Sequence, residues 1–196
     1  MNYPIRAIIC DTETTGLTAP QPIEVAIIHC QDIHTYDDLL DLKQYEKFNK
    51  RYKPTKAIEA GAQKVHGISM QDVEGCPRYL SHQLPISDTV EYIIGHNISY
   101  DMRALRCESG GGGKEFLGDL RQICTLQLAR KLWPEYKEDG GYSLANIIQK
   151  NYPTVAESIT KITHGALADC FLTLHLLDMM CAEYELDSWE ELYNLQ

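Results

Sequence analysis

Residues 6–10 form a short apolar run that ends abruptly at Asp11. The pattern predicts a buried strand that delivers a carboxylate at its tip. Thr14, Thr15 and Gly16 then turn the chain, Pro20 and Pro22 occupy the connection, and 23–30 predicts a second strand. So short a connection favours an antiparallel pair. A third strand is expected over 46–52. Residues 57–65 have helical composition and stop near Gly67, and Ser69 with Asp72 offers a cap for a further helix. Residues 77–83 can continue helical before Pro85. A fourth strand is predicted over 89–94, closed by Gly95, and His96 and Asn97 precede a helix running to about Cys107. Residues 123–125 predict a fifth strand that leads into a helix over 126–132, stopped by Pro134. Ser143 caps a helix over 144–150, and 165–184 predicts a long helix. Strands first, then strands mixed with helices, imply an α/β fold: a mixed sheet with helices on its faces. No repeat or linker divides the 196 residues, so one domain over 1–196 is expected.

Charge narrows the partners. Eighteen Lys and Arg against 28 Asp and Glu give a net charge of −10. That excludes a protein that coats duplex DNA by bulk charge, but not an enzyme that grips a few nucleotides through metal ions. No apolar run is long enough for a transmembrane helix, and the N-terminus lacks a signal-peptide core, so a cytoplasmic protein without a membrane partner is expected. Seven cysteines form no C-x-x-C pair and sit mostly in apolar runs. They read as buried free thiols in a reducing compartment.

The carboxylates carry the chemistry. Asp11 and Glu13 lie two apart at a strand end, so both leave the same face. Two such charges repel unless a cation sits between them, and a hard divalent ion suits oxygen ligands. A solvated loop start is the alternative, though Ile8, Ile9 and Cys10 argue for a central strand. Asp101 lies four residues after Asn97, on one helix face, directly after a buried-looking strand. Sites in open α/β sheets collect where strands end and helices begin. Asp169 precedes Phe171, Leu172 and Leu174, an unusual place for a charge, and His164 stands in the loop before it. Read alone, His164 is an ordinary surface histidine.

In order along the chain, these segments resemble the motifs of the DEDDh 3′–5′ exonucleases. Asp11-Thr12-Glu13-Thr14-Thr15-Gly16-Leu17 is similar to the first motif and His96-Asn97-Ile98-Ser99-Tyr100-Asp101 to the second. His164-Gly165-Ala166-Leu167-Ala168-Asp169 is similar to the third, with histidine five residues before aspartate. Pro54 with Ile58, Val65-His66-Gly67-Ile68 and Ser143-Leu144 agree as lesser landmarks. The resemblance spans residues 6–180. Within the family, Cys124-Thr125-Leu126-Gln127-Leu128-Ala129-Arg130-Lys131-Leu132-Trp133-Pro134 is most similar to bacterial exonuclease X.

The resemblance implies a ribonuclease H-like fold, a mixed five-stranded sheet with an antiparallel second strand, flanked by helices. It implies two Mg²⁺ (or Mn²⁺) ions about 4 Å apart. Asp11 would bridge them, Glu13 and Asp169 would hold the nucleophile-side ion, Asp101 would hold the other, and His164 would take the proton from the attacking water. The terminal nucleotide would meet Thr14, Thr15, Gly16 and Leu17, with backbone N–H groups of Thr14 and Thr15 reaching the 3′ end. His66 and Ile68 would form a second wall, with core packing the alternative for Ile68. Asn97 and Tyr100 would orient the phosphate region or support Asp101, with helix capping the alternative for Asn97. The implied activity is metal-dependent 3′–5′ hydrolysis of DNA to 5′-mononucleotides, and the expected partner is nucleic acid, single-stranded DNA 3′ ends first. An exoribonuclease on the same fold is the nearest rival, and an inactive module that binds nucleic-acid ends the more distant one. Five cations between Lys47 and Lys56 read equally as a backbone-tracking strand or as a solvated edge strand. Gly110 to Gly113 lack the spacing of a phosphate-binding loop and read as a flexible surface segment.

Overall fold

The computed structural model describes residues 5–30, 43, 45–107, 117–154, 157–158 and 165–196. Five strands form one sheet: β1 (Ala7–Thr14), β2 (Pro22–Cys30), β3 (Lys47–Arg51), β4 (Tyr92–Gly95) and β5 (Arg121–Cys124). Their spatial order is β3-β2-β1-β4-β5. β2 runs antiparallel to both β1 and β3, whereas β4 is parallel to β1 and β5 to β4. This is the mixed sheet with an antiparallel second strand that the sequence implies.

β1 is the central strand and is covered on both faces. Ala7 and Ile9 enter one core with Phe171 and Leu174 of the long helix α5 (Ala166–Tyr184). Ile8 and Cys10 enter the other, with Ile98, Met102 and Leu105 of α2 (Ile98–Leu105). The same alternation continues past the apolar run. β1 extends four residues beyond the expected Cys10 because Pro22 and residues 24–26 of β2 offer partners to Asp11, Thr12, Glu13 and Thr14. Asp11 and Glu13 therefore share the face of Ala7 and Ile9, toward α5, and Thr12 shares that of Ile8 and Cys10, toward α2.

Further helices among the described residues are α1 (Ala60–His66), α3 (Thr125–Leu132), α4 (Leu144–Asn151) and α6 (Trp189–Leu195). Ser143 caps α4 as expected, its side chain accepting from the Asn146 amide. Two helical expectations fail. The Ser69 hydroxyl and amide both donate to the Asp72 carboxylate, but this closes a turn rather than a helix. Of 77–83, only Ser81–Gln83 winds into a 3₁₀ turn, because Gly75, Pro77 and Pro85 leave no room for a longer ladder. Conversely, α6 is unanticipated. Ser188 and Glu191 cap it, and Trp189 and Leu192 bury into the main core.

Among the described residues no helix is long and apolar enough to cross a membrane. All seven cysteines are free thiols, five of them buried.

Candidate active site

Three elements bring the acids together. β1 supplies Asp11 and Glu13 from one face, and α5 supplies Asp169 from its first turn. One carboxylate oxygen from each lies within 4.8 Å of the others. Next to Asp169, the Cys170 thiol donates to the Ile9 carbonyl at 3.8 Å and the Ala26 carbonyl at 3.5 Å, which seats α5 on β1 and β2.

Asp101 arrives from the opposite side of β1, in the first turn of α2, and is only 3% exposed. Its Oδ1 accepts from the Thr12 amide at 3.0 Å and from the Thr12 hydroxyl at 2.8 Å, which fixes the carboxyl group against β1. The turn before α2 is tight. Asn97 adopts the left-handed region (φ 77°), which Asn tolerates better than most residues. A Cβ on Gly95 would fall 2.9 Å from the Cys10 carbonyl oxygen. His96 spans from Thr125 Oγ1 to the Tyr142 carbonyl oxygen, with both ring nitrogens bonded. Asn97 makes no side-chain cap; its amide oxygen accepts from the Ser99 hydroxyl.

Crowding of negative charge marks the site. Burial, reinforced by Asp101, Asp169, Glu13 and Glu24, holds Asp11 well above the usual carboxylate range. Burial pushes Glu13 up to about 7, helped by Asp169, Glu24 and Asp101. Burial likewise raises Asp101 to about 7, against the lowering effect of the Thr12 bonds, and Asp169 to about 6. A cluster of hard oxygen donors in this state fits a divalent cation.

Beside the acids opens a cavity of about 470 Å³, lined by Thr14, Gly16, Leu17, His66, Asn97 and Tyr100 among others. Its rim carries two exposed apolar side chains, Leu17 at 76% and Val65 at 87% exposure. The Tyr100 hydroxyl donates to the Gly16 carbonyl at 3.0 Å and meets the Thr14 hydroxyl, so it braces the turn after β1. His66 Nδ1 accepts from the Ile68 amide at 3.0 Å, and burial pushes its pKa down, which favours the neutral ring.

Two of the expected binding residues take other roles. Ile68 packs with Ile23, Ile58 and Val73 in a small core cluster, away from the cavity lining. The Thr15 amide donates to the Gln21 carbonyl and its hydroxyl accepts from the Gln21 amide, so Thr15 closes the turn and has no amide left for a substrate. His164 lies outside the described residues, as does the glycine run at 110–113. The basic run is an edge strand in which Arg51 is paired with Glu24, and beyond it Lys56 donates to the Thr18 carbonyl.

Glu24 and Glu59 stand beside the site outside the expected set, and Val65, expected only as a landmark, joins the cavity lining. Glu24 had a usable signal, a lone charge inside the apolar run of β2. Glu59 lines the cavity from the N-terminal boundary of α1, where nothing in the local pattern points inward.

A family model described as Exonuclease, of the RNase T type, matches residues 8–177. The chain belongs to the RNase T exonuclease family. Exodeoxyribonuclease 10 of Escherichia coli K12 is 30% identical over 169 residues, 86% of this chain and 66% of its own length. DNA polymerase III subunit epsilon of Buchnera aphidicola (subspecies Schizaphis graminum) is 28% identical over 193 residues, 94% of this chain and 78% of its own length. A solved exonuclease X in complex with 5′-overhanging duplex DNA shares the fold with a TM-score of 0.65 at 23% identity, across 96% of this chain and 98% of that one. With this family and these relatives, the chain is a 3′–5′ exonuclease domain, and its mixed sheet shares the fold of the exonuclease X structure.

The raised carboxylates of this domain make a prediction about cations. Glu13, Asp101 and Asp169 shift from 4.5, 3.8 and 3.8 to about 7, 7 and 6. The folded metal-free protein thus binds protons more tightly than the unfolded chain, and these groups cost stability progressively as pH rises from about 4 through 7. A cation has to displace those protons at pH 5.5 but meets bare carboxylates at pH 8. The rise in Tm on replacing EDTA with Mn²⁺ is expected to be small at pH 5.5 and several degrees at pH 8. Melting curves in both conditions test this. An equal shift at the two pH values would show that the acids do not hold the ion.

Proposed function

We propose that the protein is a metal-dependent 3′–5′ exodeoxyribonuclease. It hydrolyses the last phosphodiester of a DNA strand and releases a 5′-mononucleotide. The observation that carries this reading is the convergence of Asp11, Glu13 and Asp169, with Asp101 fixed beside them, at the edge of a cavity large enough for a nucleoside. The DNA preference is supported by the relatives, one an exodeoxyribonuclease and another a DNA polymerase subunit. Free cysteines are in keeping with a reducing cytoplasm.

The four carboxylates would hold two divalent ions, which activate the attacking water and stabilise the leaving oxygen when bound. Thr12 keeps Asp101 turned toward β1. Leu17 and Val65 offer apolar surface to the terminal base. Tyr100 holds the Thr14–Gly16 turn against the nucleotide. His164 takes a proton from the attacking water as the water oxygen bonds to phosphorus. The P–O3′ bond breaks and the 3′-oxygen takes a proton from solvent, leaving a 3′-hydroxyl on the shortened strand and the phosphate on the released nucleotide. An imidazole with a reference pKa of about 6.5 serves as base only when neutral, so activity rises with pH through that region.

A gel assay on 5′-labelled DNA and RNA of matched sequence, with Mn²⁺, Mg²⁺ or EDTA, tests the proposal. The expected result is a ladder that shortens DNA from its 3′ end, is lost in EDTA and strengthens from pH 6 to 8. Faster cleavage of RNA would reassign the substrate. No cleavage of either with both metals would leave an end-binding module.

A further inference from the structure

Glu24 is the acid that the proposed chemistry leaves without a task. It is 4% exposed, sits in a strand buried along its whole length, and lies directly across from Glu13. A like-charge pair facing across strands is destabilising, so a fifth carboxylate beside four others needs a reason.

Both of its oxygens are engaged. Oε1 accepts from Arg51 Nε at 2.9 Å. Oε2 accepts from the Ala166 amide at 3.2 Å, and Ala166 is the first residue of α5. The residue before it, Gly165, has no side chain to cap the helix. Glu24 caps it from another strand, where the positive end of the helix favours an anion. The contact is close: a Cβ on Gly165 would fall 2.3 Å from Glu24 Oε2. Glu13, Glu24 and Arg51 also form one row across β1, β2 and β3, each the register partner of the next.

We infer that Glu24, held by Arg51, is a positioning residue that seats the start of α5 and so sets how Asp169 meets Asp11 and Glu13. The inference rests on the reading of those acids as the metal centre of an exonuclease. Glu24 touches neither metal nor substrate in this role. It acts through the first turn of α5, and Arg51 acts through Glu24.

Charge alone and position make opposite forecasts for Arg51. If Glu24 and Arg51 mattered only as charges, removing the cation would leave the site more negative and tighten Mn²⁺ binding. If they hold α5, removing it loosens Glu24 and weakens binding. The experiment is calorimetric titration of the full chain with Mn²⁺ at pH 8, with melting curves and with kcat on 5′-labelled DNA, for the wild type, R51M, E24Q and E24A. Weaker Mn²⁺ binding in R51M and E24Q, about tenfold, with a further loss in E24A, is the expected result. Glu24→Gln keeps an oxygen for the Ala166 amide should Glu24→Ala fail to fold, and Arg51→Met, on which the two readings differ in sign, decides between them. The kcat of R51M should fall in parallel at saturating Mn²⁺. Tighter binding in R51M, or unchanged binding and kcat in E24Q, overturns the inference. A wild type that binds Mn²⁺ but cuts no DNA would refute the exonuclease reading, and the titrations would still decide the role of Glu24.

Discussion

Asp11→Asn is expected to abolish cleavage while making the metal-free protein harder to melt. The two effects have one cause. Asp11 is surrounded by Asp101, Asp169, Glu13 and Glu24, and its carboxyl is held well above the usual range by burial and by them. In the metal-free protein at pH 8 it either stays protonated against the solvent or carries an unneutralised buried charge, and both are unfavourable. Asparagine keeps the shape and removes the charge. A gain of about 1–2 kcal/mol, roughly 2–8 °C in Tm, follows in EDTA at pH 8. The same substitution takes one ligand from a site whose function is to gather cations. Turnover on DNA should fall by about a thousandfold or more, and the Mn²⁺-induced rise in Tm should shrink. Melting curves and single-turnover assays on one preparation measure both. A variant that lost activity and stability together would mean that Asp11 is a structural acid.

The sequence showed which residues bear charge in apolar surroundings and at which end of an element they stand. Asp11 ends an apolar run, Asp101 follows one, and Asp169 interrupts one. Strand and helix periodicity then say which face each acid leaves from, and the fold brings three of the four within ligand distance. What the pattern does not contain is the identity of partners distant in sequence. Glu24 stands out as a charge in β2, yet only the register with Arg51 and the arrival of Ala166, 142 residues on, give it a role. Thr15 and Ile68 lie inside family-like motifs, but the Gln21 backbone takes the first and a local core takes the second. Helix α6 was missed because its two buried side chains, Trp189 and Leu192, make too short an apolar stripe. Its Ser188-x-x-Glu191 capping box was the available signal.

Gly165→Ala is expected to cost activity far beyond what its backbone conformation alone would cost. Gly165 has φ 68° and ψ −154°, a combination that L residues avoid. Gly141 provides the comparison: it too has positive φ, 79°, but its Cβ would meet nothing within 4 Å. Gly141→Ala should cost about 1 kcal/mol and leave kcat unchanged. At Gly165 the same methyl would strike Glu24 Oε2 at 2.3 Å and stand 3.9 Å from Glu13 Oε1. Glu24 is gripped by Arg51 and buried, so it does not swing away freely. The start of α5 has to shift instead, and Asp169 lies three residues into that helix. A displacement of about 1 Å at a reacting centre lowers turnover about a hundredfold. The expected outcome is therefore a drop of that size in kcat for Gly165→Ala, with a Tm loss larger than that of Gly141→Ala. Paired assays on the two variants separate the contributions. If Gly165→Ala melts lower but turns over like the wild type, Glu24 has yielded without moving α5, and the start of that helix does not set the geometry of the acids.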